Sequence, residues 1–521
     1  MGTQLSGRPR SQGALRCLAC SLIVAAFTSQ TAVAQSQSKS RSPDTDLTPP
    51  IQPQLRPDGS DVQVLPIDLP TALRLADSAN PTVAVARERV REAYQRQRQA
   101  EVLWLPDLRA GPAYVRHDGQ IQNSSGLVFS TSKSNFFVGG GAVLDVGIAD
   151  ALFAPLIARR LTEGQAAQAR AVTIDVELEV ALTYIDLLRV YGALAINADT
   201  LARAEAMLKS AEAANTQGLS RSKADVTRAR AEVSLRREER IQLEGDVGVV
   251  SARLAQLLLL QPTVDLQPAE PSVVPVAIVQ ADLAIDEMVA VGLMNRPELA
   301  ESRALIAAAV ASWRQARSSP FIPRAQFSYL AGDFGGGNND QLSNFHARGD
   351  GTAAAVWELR NFGAGDIARA RERRAQVNVA NYHLAEVQAR VGAEVAAAAK
   401  VARSRQRALD DAQAAVREAL ETWRRLSAAS FGLANPKENL LDTLAPLVAV
   451  QTLSQARTLY LTQVIEFNKA QFRLYAAMGR PPLWALDEAT RLAVEVPAVP
   501  PKPMPSEVLP TPTPVGGPKL Q

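Results

Sequence analysis

Residues 161–220 read LTEGQAAQARAVTIDVELEVALTYIDLLRVYGALAINADTLARAEAMLKSAEAANTQGLS, and proline is absent from Leu161 through Gln217. At ~1.5 Å per residue, a helix of roughly 65 residues is about 100 Å long, several times the usual globular helix. The stretch therefore predicts one very long helix from about residue 150 to Thr216. We expect it to turn at Gly218-Leu219-Ser220 and to return as a second helix to about Leu260.

An apolar stripe along this helix has the four-and-three spacing of a coiled coil, and consists of Ile174, Leu178, Ala181, Ile185 and Leu188. Charged residues interrupt every apolar run, among them Asp175, Glu177, Glu179, Asp186 and Arg189. The helix is therefore too polar to cross a bilayer. The pattern predicts an extended bundle of long helices.

The N-terminus has the three parts of a secretory signal peptide in order. Arg8, Arg10 and Arg16 precede the apolar run 18–27, and Ala32-Val33-Ala34 supplies a small-residue cleavage site. Residues 1–34 are thus predicted to be removed before Gln35. Both cysteines, Cys17 and Cys20, lie within that segment, so the mature chain contains no cysteine. The apolar run follows Cys20 instead of preceding it, which argues against lipidation there.

Composition gives no sign of an enzyme or of a nucleic-acid partner. The 56 basic and 53 acidic residues interleave along the chain, and the net charge is only +3. The sequence has no nucleotide-binding glycine loop and no CxxC motif, and His117, His346 and His383 are not at metal-ligand spacing. We expect no catalytic residues, no cofactor and no metal site.

The chain is predicted to consist of two equivalent halves. Residues 66–260 and 285–479 each contain a helix, two strands, a long helix and a return helix, joined by a Pro-rich linker at 261–284. A disordered leader at 35–65 and a Pro-rich disordered tail at 480–521 flank them.

The duplication is visible residue by residue. Leu69, Ala72, Leu73 and Pro81 match Ile285, Met288, Val289 and Pro297 at a constant spacing of 216 residues. The other matches are Trp104-Leu105-Pro106 with Phe321-Ile322-Pro323, Asp145-Val146-Gly147 with Asn361-Phe362-Gly363, and Gly218-Leu219 with Gly432-Leu433. So long a period indicates a duplicated half, not a solenoid.

The predicted strands lie at 108–117, 134–146, 324–332 and 347–361. In the third, Ala325, Phe327, Tyr329 and Ala331 alternate with polar residues, which suits either a tilted transmembrane strand or a half-buried strand in a soluble sandwich. Four strands cannot enclose a useful barrel, and open edges are not tolerated in lipid. A membrane role therefore requires several chains to pool their strands.

This ordered set of motifs, present twice, resembles the TolC-type outer membrane efflux protein family over about residues 65–480. The resemblance implies a mainly α fold with tandem-duplicated coiled-coil hairpins and four transmembrane β-strands per chain. It implies a homotrimer whose strands form a twelve-strand barrel in outer membrane lipid and whose helices form a periplasmic tunnel. Its partners would be a periplasmic adaptor protein and an inner-membrane pump, in efflux or type I secretion. One departure is the run 149–155, where Pro155 predicts that the long helix starts late or kinks.

The two helical turns, Gly218-Leu219-Ser220 and Gly432-Leu433-Ala434, are candidate tips for docking the adaptor. Each pairs a small residue, which permits close backbone approach, with an exposed leucine. The alternative is a plain helix stop, with glycine as the C-cap.

The resemblance also places a periplasmic gate just after the second turn. Asp442 matches an acidic gate position, Asn439 stands where the family usually has a second carboxylate, and Glu438 is a substitute for the missing charge. A ring of carboxylates would focus a negative potential and favour cations. The alternative is a solvated acid near a helix N-terminus.

The rival interpretation of the whole chain is a soluble periplasmic coiled-coil adaptor or scaffold. The strands and their polar, Gly- and Asn-rich loops argue against it, since outer-membrane barrels carry long external loops.

Overall fold

A computed structural model describes residues 64–216, 223–270, 272–280, 282–339, 341–431 and 444–485. The predicted signal peptide, almost all of the leader, and the Pro-rich tail beyond residue 485 lie outside the described residues. No helix among the described residues has a stretch long and apolar enough to cross a membrane.

The first half begins with two short helices, α1 (Leu69–Ala79) and α2 (Pro81–Glu101). Asn80 separates them: its side chain accepts a hydrogen bond from Thr82 N–H at 2.8 Å, which caps α2, and donates one to the Leu257 carbonyl at 2.8 Å. Proline is favoured at the first helical position because its missing N–H has no intrahelical partner there. The predicted break at Asn80-Pro81 is therefore the junction of two capped helices.

Two strands and two helices complete the first half. They are β2 (Asp107–Gln122), β3 (Val128–Gly147), α3 (Ile148–Thr216) and α4 (Lys223–Leu257). The expectation that α3 starts late is wrong, because the helix begins at Ile148 and includes Pro155. A kink at Pro155 remains a prediction. The proline costs the hydrogen bond to the Ala151 carbonyl. Packing along the 69 residues of α3 outweighs that single lost bond.

The second half has the same order of elements: α5 (Ile285–Asn295), α6 (Pro297–Ser318), β5 (Arg324–Asn338), β6 (Ser343–Val356), α7 (Ala364–Phe431) and α8 (Leu444–Ala477). Short 3₁₀ turns at Ser319–Phe321 and Arg360–Gly363 join helix to strand and strand to helix. The predicted mainly α fold with a small sheet is confirmed.

The long helices pack side by side through their apolar stripes. α3 contacts α2 and α6, and further along it contacts α4 and α8, while α7 packs on α6 and α8. Ala181 and Ile185, from the predicted stripe of α3, are buried, and so is Leu254 of α4. Near the sheet the helices therefore lie side by side in the order α2–α3–α6–α7. Farther from the sheet the order is α4–α3–α8–α7.

The segment that begins the first half pairs with the linker that joins the two halves. β1 (Val64–Ile67) and β4 (Asp265–Pro268) form a parallel ladder, although the sequence predicted leader and linker there. The buried Tyr184 hydroxyl donates to the Ile67 carbonyl at 3.0 Å, so the ladder is tied to α3.

Polar side chains of α8 hold the rest of the linker. Asn468 accepts from Val276 N–H at 2.8 Å and donates to the Val274 carbonyl at 2.9 Å. Gln471 accepts from Val279 N–H at 3.0 Å. Each bond satisfies an irregular backbone group that would otherwise be buried without a partner.

Candidate functional site

The sequence-predicted site residues all lie outside the described residues. These are Gly218, Leu219, Ser220, Gly432, Leu433 and Ala434 at the turns, and Glu438, Asn439 and Asp442 at the gate. Both turns join the ends of α3 and α7 that are remote from the strands, because each of these helices begins directly after the sheet. The structure therefore brings a different feature forward, which is the sheet itself.

The four strands form one antiparallel sheet in the order β2–β3–β5–β6. Asp107 pairs with Val143, Gly147 with Arg324, and Arg324 with Val356. Within the described chain β2 pairs only with β3, and β6 only with β5, so the outer edges of both strands are unpaired.

One face of the sheet is apolar. Residues opposite each other in an antiparallel pair share a face, so the register assigns every side chain. This apolar face consists of Leu108, Ala110, Pro112 and Tyr114 of β2, Phe136, Val138, Gly140, Ala142, Leu144 and Val146 of β3, Ala325, Phe327, Tyr329 and Ala331 of β5, and Phe345, Ala347, Gly349, Gly351, Ala353 and Ala355 of β6. Asp333, opposite Val138, is the one charged residue within this apolar band, and Arg116 and Asp118 lie on the same side of β2 beyond Tyr114.

Aromatic rings lie on the apolar face. Phe136 and Phe345 meet edge to face with ring centroids 6.4 Å apart. The Tyr329 ring lies against Gly349 of the next strand, where side-chain cover is otherwise missing. Although the face is apolar, several of its large side chains are exposed: Leu108 is 84% exposed, and Tyr114 and Tyr329 are each 52% exposed. Such a continuous exposed apolar surface marks an interaction with lipid or protein.

The opposite face, called the polar face, carries most of the charged side chains of the sheet, together with apolar ones such as Phe137, Leu330 and Phe334. It includes Asp107, Arg109 and His117 of β2, Lys133, Asn135 and Asp145 of β3, Arg324, Gln326 and Ser328 of β5, and His346, Arg348, Asp350 and Thr352 of β6. Arg324 pairs with Asp145 at 3.0 Å and Arg348 with Asp350 at 2.8 Å, while the Ser328 and Thr352 hydroxyls are 2.8 Å apart. These charges are mutually compensated, as suits a surface in contact with water.

Glycines allow the central strands to approach closely on the polar face. A Cβ at Gly141 would lie 1.8 Å from the Tyr329 carbonyl oxygen, and one at Gly139 would lie 2.4 Å from the Ala331 carbonyl oxygen. Glycine inside a strand marks a tight bend or close backbone approach. The backbones of β3 and β5 thus approach each other at positions that only glycine can occupy.

Polar bridges connect the α3–α4 helices to α8. Asp199 of α3 contacts Arg457 of α8, Lys469 Nζ lies 2.6 Å from Asp186, and Gln451 donates to Glu232 at 2.8 Å. Burial of Asp199 favours its neutral form, but hydrogen bonds and charges from Arg203 and Arg457 outweigh this and lower its pKa. Sequence patterns did not single out these residues, because charged side chains on a long helix are usually solvated.

No group of three or more His, Cys, Asp or Glu side chains placed to hold a metal ion occurs among the described residues. The described features that call for an interaction outside the chain are instead the exposed apolar face and the unpaired edges of the sheet.

Comparison with known proteins finds the same fold in solved channel structures. The outer-membrane channel OprN matches 80% of this chain and 90% of its own, with 18% identity and a TM-score of 0.65. The outer membrane protein VceC of Vibrio cholerae matches 79% of this chain and 96% of its own, with 17% identity and a TM-score of 0.64. The open-state MtrE outer membrane channel of Neisseria gonorrhoeae matches 79% of this chain and 89% of its own, at 16% identity and a TM-score of 0.63.

No protein-family profile matches the sequence, and no curated protein matches it. The likeness to these channels therefore concerns the fold.

Proposed function

We propose that this chain, which has the fold of the TolC-type outer-membrane channels, is itself a subunit of a channel-tunnel in the outer membrane. In this proposal the sheet crosses the membrane and the long helices extend into the periplasm. The channel conducts substrates delivered by a periplasmic adaptor and an inner-membrane pump.

The two-faced sheet is the observation that carries this proposal. The apolar face of β3 extends ten residue steps from Phe136 to Val146. At ~3.4 Å per residue this is roughly 34 Å along the strand, and a barrel tilt of about 40° reduces it to about 26 Å of height. The lipid-facing band of outer-membrane barrels is about 25 Å tall. The apolar face thus suits lipid, and the charge-compensated polar face suits a water-filled lumen.

The unpaired edges of β2 and β6 supply the reason for oligomerisation. Open strand edges are not tolerated in lipid, so each edge must pair with another copy. The two edges are different surfaces, and head-to-tail contacts of this kind generate rings. We propose a homotrimer, in which the four strands of each chain close one shared barrel.

The far ends of the helices are proposed to meet the partners. The turns around Gly218-Leu219-Ser220 and Gly432-Leu433-Ala434 are the proposed docking tips for the adaptor. Asp442, with Asn439 and Glu438, is proposed to line the periplasmic gate. The bridges from Asp199 and Asp186 to α8 support this arrangement, because they fix the helix that follows the gate.

Matched arginine substitutions on neighbouring residues test the channel proposal. Tyr329→Arg places a charge in the middle of the apolar face, whereas Ser328→Arg places the same charge at the same height on the polar face. An arginine facing lipid near the bilayer midplane costs about 2–4 kcal/mol per copy. We expect Tyr329→Arg to disappear from the outer-membrane fraction. Ser328→Arg should remain there, resist carbonate extraction and show altered conductance in planar bilayers.

A different result would contradict the channel proposal. If the unmodified protein is recovered in the soluble fraction, and both variants behave like it, the chain is a periplasmic scaffold and the channel proposal is wrong.

A further inference from the structure

The two β-hairpins of this chain are equivalent in strand pairing, and this pairing matches Gly147 with Arg360, three residues before the Gly363 that the sequence pattern matched with Gly147. Asp107 opens β2 directly after Pro106 and pairs with Val143, while Arg324 opens β5 directly after Pro323 and pairs with Val356. β2 therefore corresponds to β5, and β3 corresponds to β6. The contact between the hairpins, β3 with β5, is an internal example of how the trailing strand of one hairpin meets the leading strand of the next.

The hairpins differ at a β-bulge near Phe334 in β5–β6, and they also differ at the end of the trailing strand. β3 continues four residues past Val143 to Gly147, and Gly147 pairs with Arg324, the first residue of β5. The four residues after Val356 are Trp357, Glu358, Leu359 and Arg360, and they have no strand partner within the described chain. Leu359 is nevertheless extended, with φ −104° and ψ 101°. Trp357 is 61% exposed and Leu359 is 64% exposed.

We propose that residues 357–360 continue β6 in the assembled protein and pair, antiparallel, with residues 107–110 at the start of β2 in the next copy. Arg360 then lies opposite Asp107, as Gly147 lies opposite Arg324. This inference rests on the proposed ring of copies and adds the residues and the register of the contact between them, which we call the seam.

The register agrees with the two faces of the sheet. It places Leu359 opposite Leu108 and Trp357 opposite Ala110, all on the apolar side. It places Arg360 opposite Asp107 and Glu358 opposite Arg109, all on the polar side. A slip by one residue moves every side chain of a strand to the other face, so only slips by two residues preserve this agreement.

Charge excludes both of those slips. One would set Asp107 opposite Glu358, and the other would set Arg109 opposite Arg360. Like charges directly opposite in an antiparallel pair are destabilising, whereas opposite charges contribute favourably. Among the described residues of one copy, the ion pairs of these four charges are to their own strand neighbours, with 4.0 Å between Arg109 and Asp107 and 3.6 Å between Arg360 and Glu358. The seam brings the two pairs together as an alternating network.

The hydrogen bonds of the internal example also fit. Ile148 N–H donates to the Pro323 carbonyl, so Gly147 and Arg324 are a non-hydrogen-bonded pair. At the seam the corresponding residue, Arg360, would then need no partner on the other strand for its own N–H. In the structure that N–H donates to Asp366 Oδ2 at 2.9 Å, so forming the seam breaks no existing bond.

Cysteine pairs measure the register directly. Arg109→Cys with Glu358→Cys joins a proposed non-hydrogen-bonded pair, in which the side chains are closest. The control pair, Arg109→Cys with Val356→Cys, keeps the same face but shifts one partner by two residues, to a diagonal separation of about 7–8 Å. Both natural cysteines, Cys17 and Cys20, lie in the predicted signal peptide, so the mature protein in the membrane is expected to carry only the introduced cysteines.

After oxidation of the full-length protein in membranes, we expect the double variant Arg109→Cys with Glu358→Cys to migrate as covalent dimers and trimers on non-reducing gels. The control pair should give at least ~10-fold less. A charge exchange provides a second measurement: Asp107→Arg should lower the temperature at which the oligomer dissociates, and adding Arg360→Asp should restore it.

Stronger linkage in the control pair, or an oligomer of normal mass in detergent with no linkage in the first pair, overturns the register. A monomer in detergent has a different meaning, because it overturns the proposed ring and with it the seam.

Discussion

At the scale of single residues, a buried polar side chain can bind a backbone N–H in the first turn of a helix, where the N–H has no helical partner. Glu177 of α3 is only 3% exposed and accepts a hydrogen bond from Leu483 N–H at 3.0 Å, which fixes the chain just after α8. Burial raises the pKa of the Glu177 carboxyl to about 7, although the Leu483 bond opposes the rise, and the charge of Asp77 adds to it. The Glu177 side chain thus stabilises the fold as a hydrogen-bond acceptor, but burial destabilises its charged form.

This leads to a pH-dependent prediction for Glu177→Gln. Because the folded pKa of about 7 exceeds the ordinary value of 4.5, the folded state holds the proton more tightly. Stability is therefore lost as pH rises from about 4.5 through 7, by at most about 3 kcal/mol. Glutamine keeps an acceptor for Leu483 and carries no charge.

We expect the denaturant midpoint of Glu177→Gln to exceed that of the unmodified protein at pH 8 and to match it near pH 4. Glu179→Gln, an exposed change two residues along the same helix, serves as the control and should show no gain. Equal midpoints at pH 8 would mean that the Glu177 carboxylate is not penalised by burial.

At the scale of elements, strand pairing depends on where glycine is required and where it is only tolerated. Gly141 of β3 and Gly111 of β2 are both on the polar face of the sheet. An added Cβ at Gly141 would collide with the β5 backbone of the same copy, whereas one at Gly111 would meet nothing within 4 Å in its own copy and, in the proposed ring, would stand in an ordinary strand pair opposite Val356. Because backbone atoms cannot move aside as a flexible side chain can, glycine is required at position 141 but not at position 111.

Alanine at these two positions gives a matched pair of variants. Gly141→Ala should separate β3 from β5 and abolish recovery of the heat-resistant oligomer from outer membranes. Gly111→Ala should assemble at the normal level. The measurement is the oligomer band in unheated gel samples, and normal assembly of Gly141→Ala would show that the two strands can move apart at little cost.

At the scale of the whole molecule, the two ends of each long helix, α3 and α7, have different neighbours. The ends beside the strands adjoin the two-faced sheet, and the remote ends lead to the turns and to the proposed gate. Bridges such as Lys469–Asp186 join α8 to α3 across the halves. Side chains in the second half are thereby positioned by helices of the first.

The gate proposal predicts a change in ion selectivity. Asp442→Ala would remove one carboxylate per copy from the aperture, so cation selectivity and block by divalent or trivalent metal ions should both decrease in single-channel recordings. Asp411→Ala removes an exposed acid from α7 and should leave both unchanged. If the Asp442 variant also conducts like the unmodified protein, that residue does not line the aperture.

The sequence by itself determined the features that are decided locally. The proline-free run with a four-and-three stripe specifies α3, because helical hydrogen bonds close within four residues and the stripe needs only a neighbouring helix. The cap at Asn80 and the alternation at Ala325, Phe327 and Tyr329 are local in the same way.

The tertiary structure alone decided what depends on distant partners. The β1–β4 ladder joins Val64 to Asp265, and neither segment carries a strand pattern of its own. Passage through Pro155 depends on packing against other helices, and the free edges of β2 and β6 depend on pairing between hairpins far apart in the chain. Periodicity shows which side of an element is apolar, but the partner and the register depend on contacts that the chain makes only when it folds.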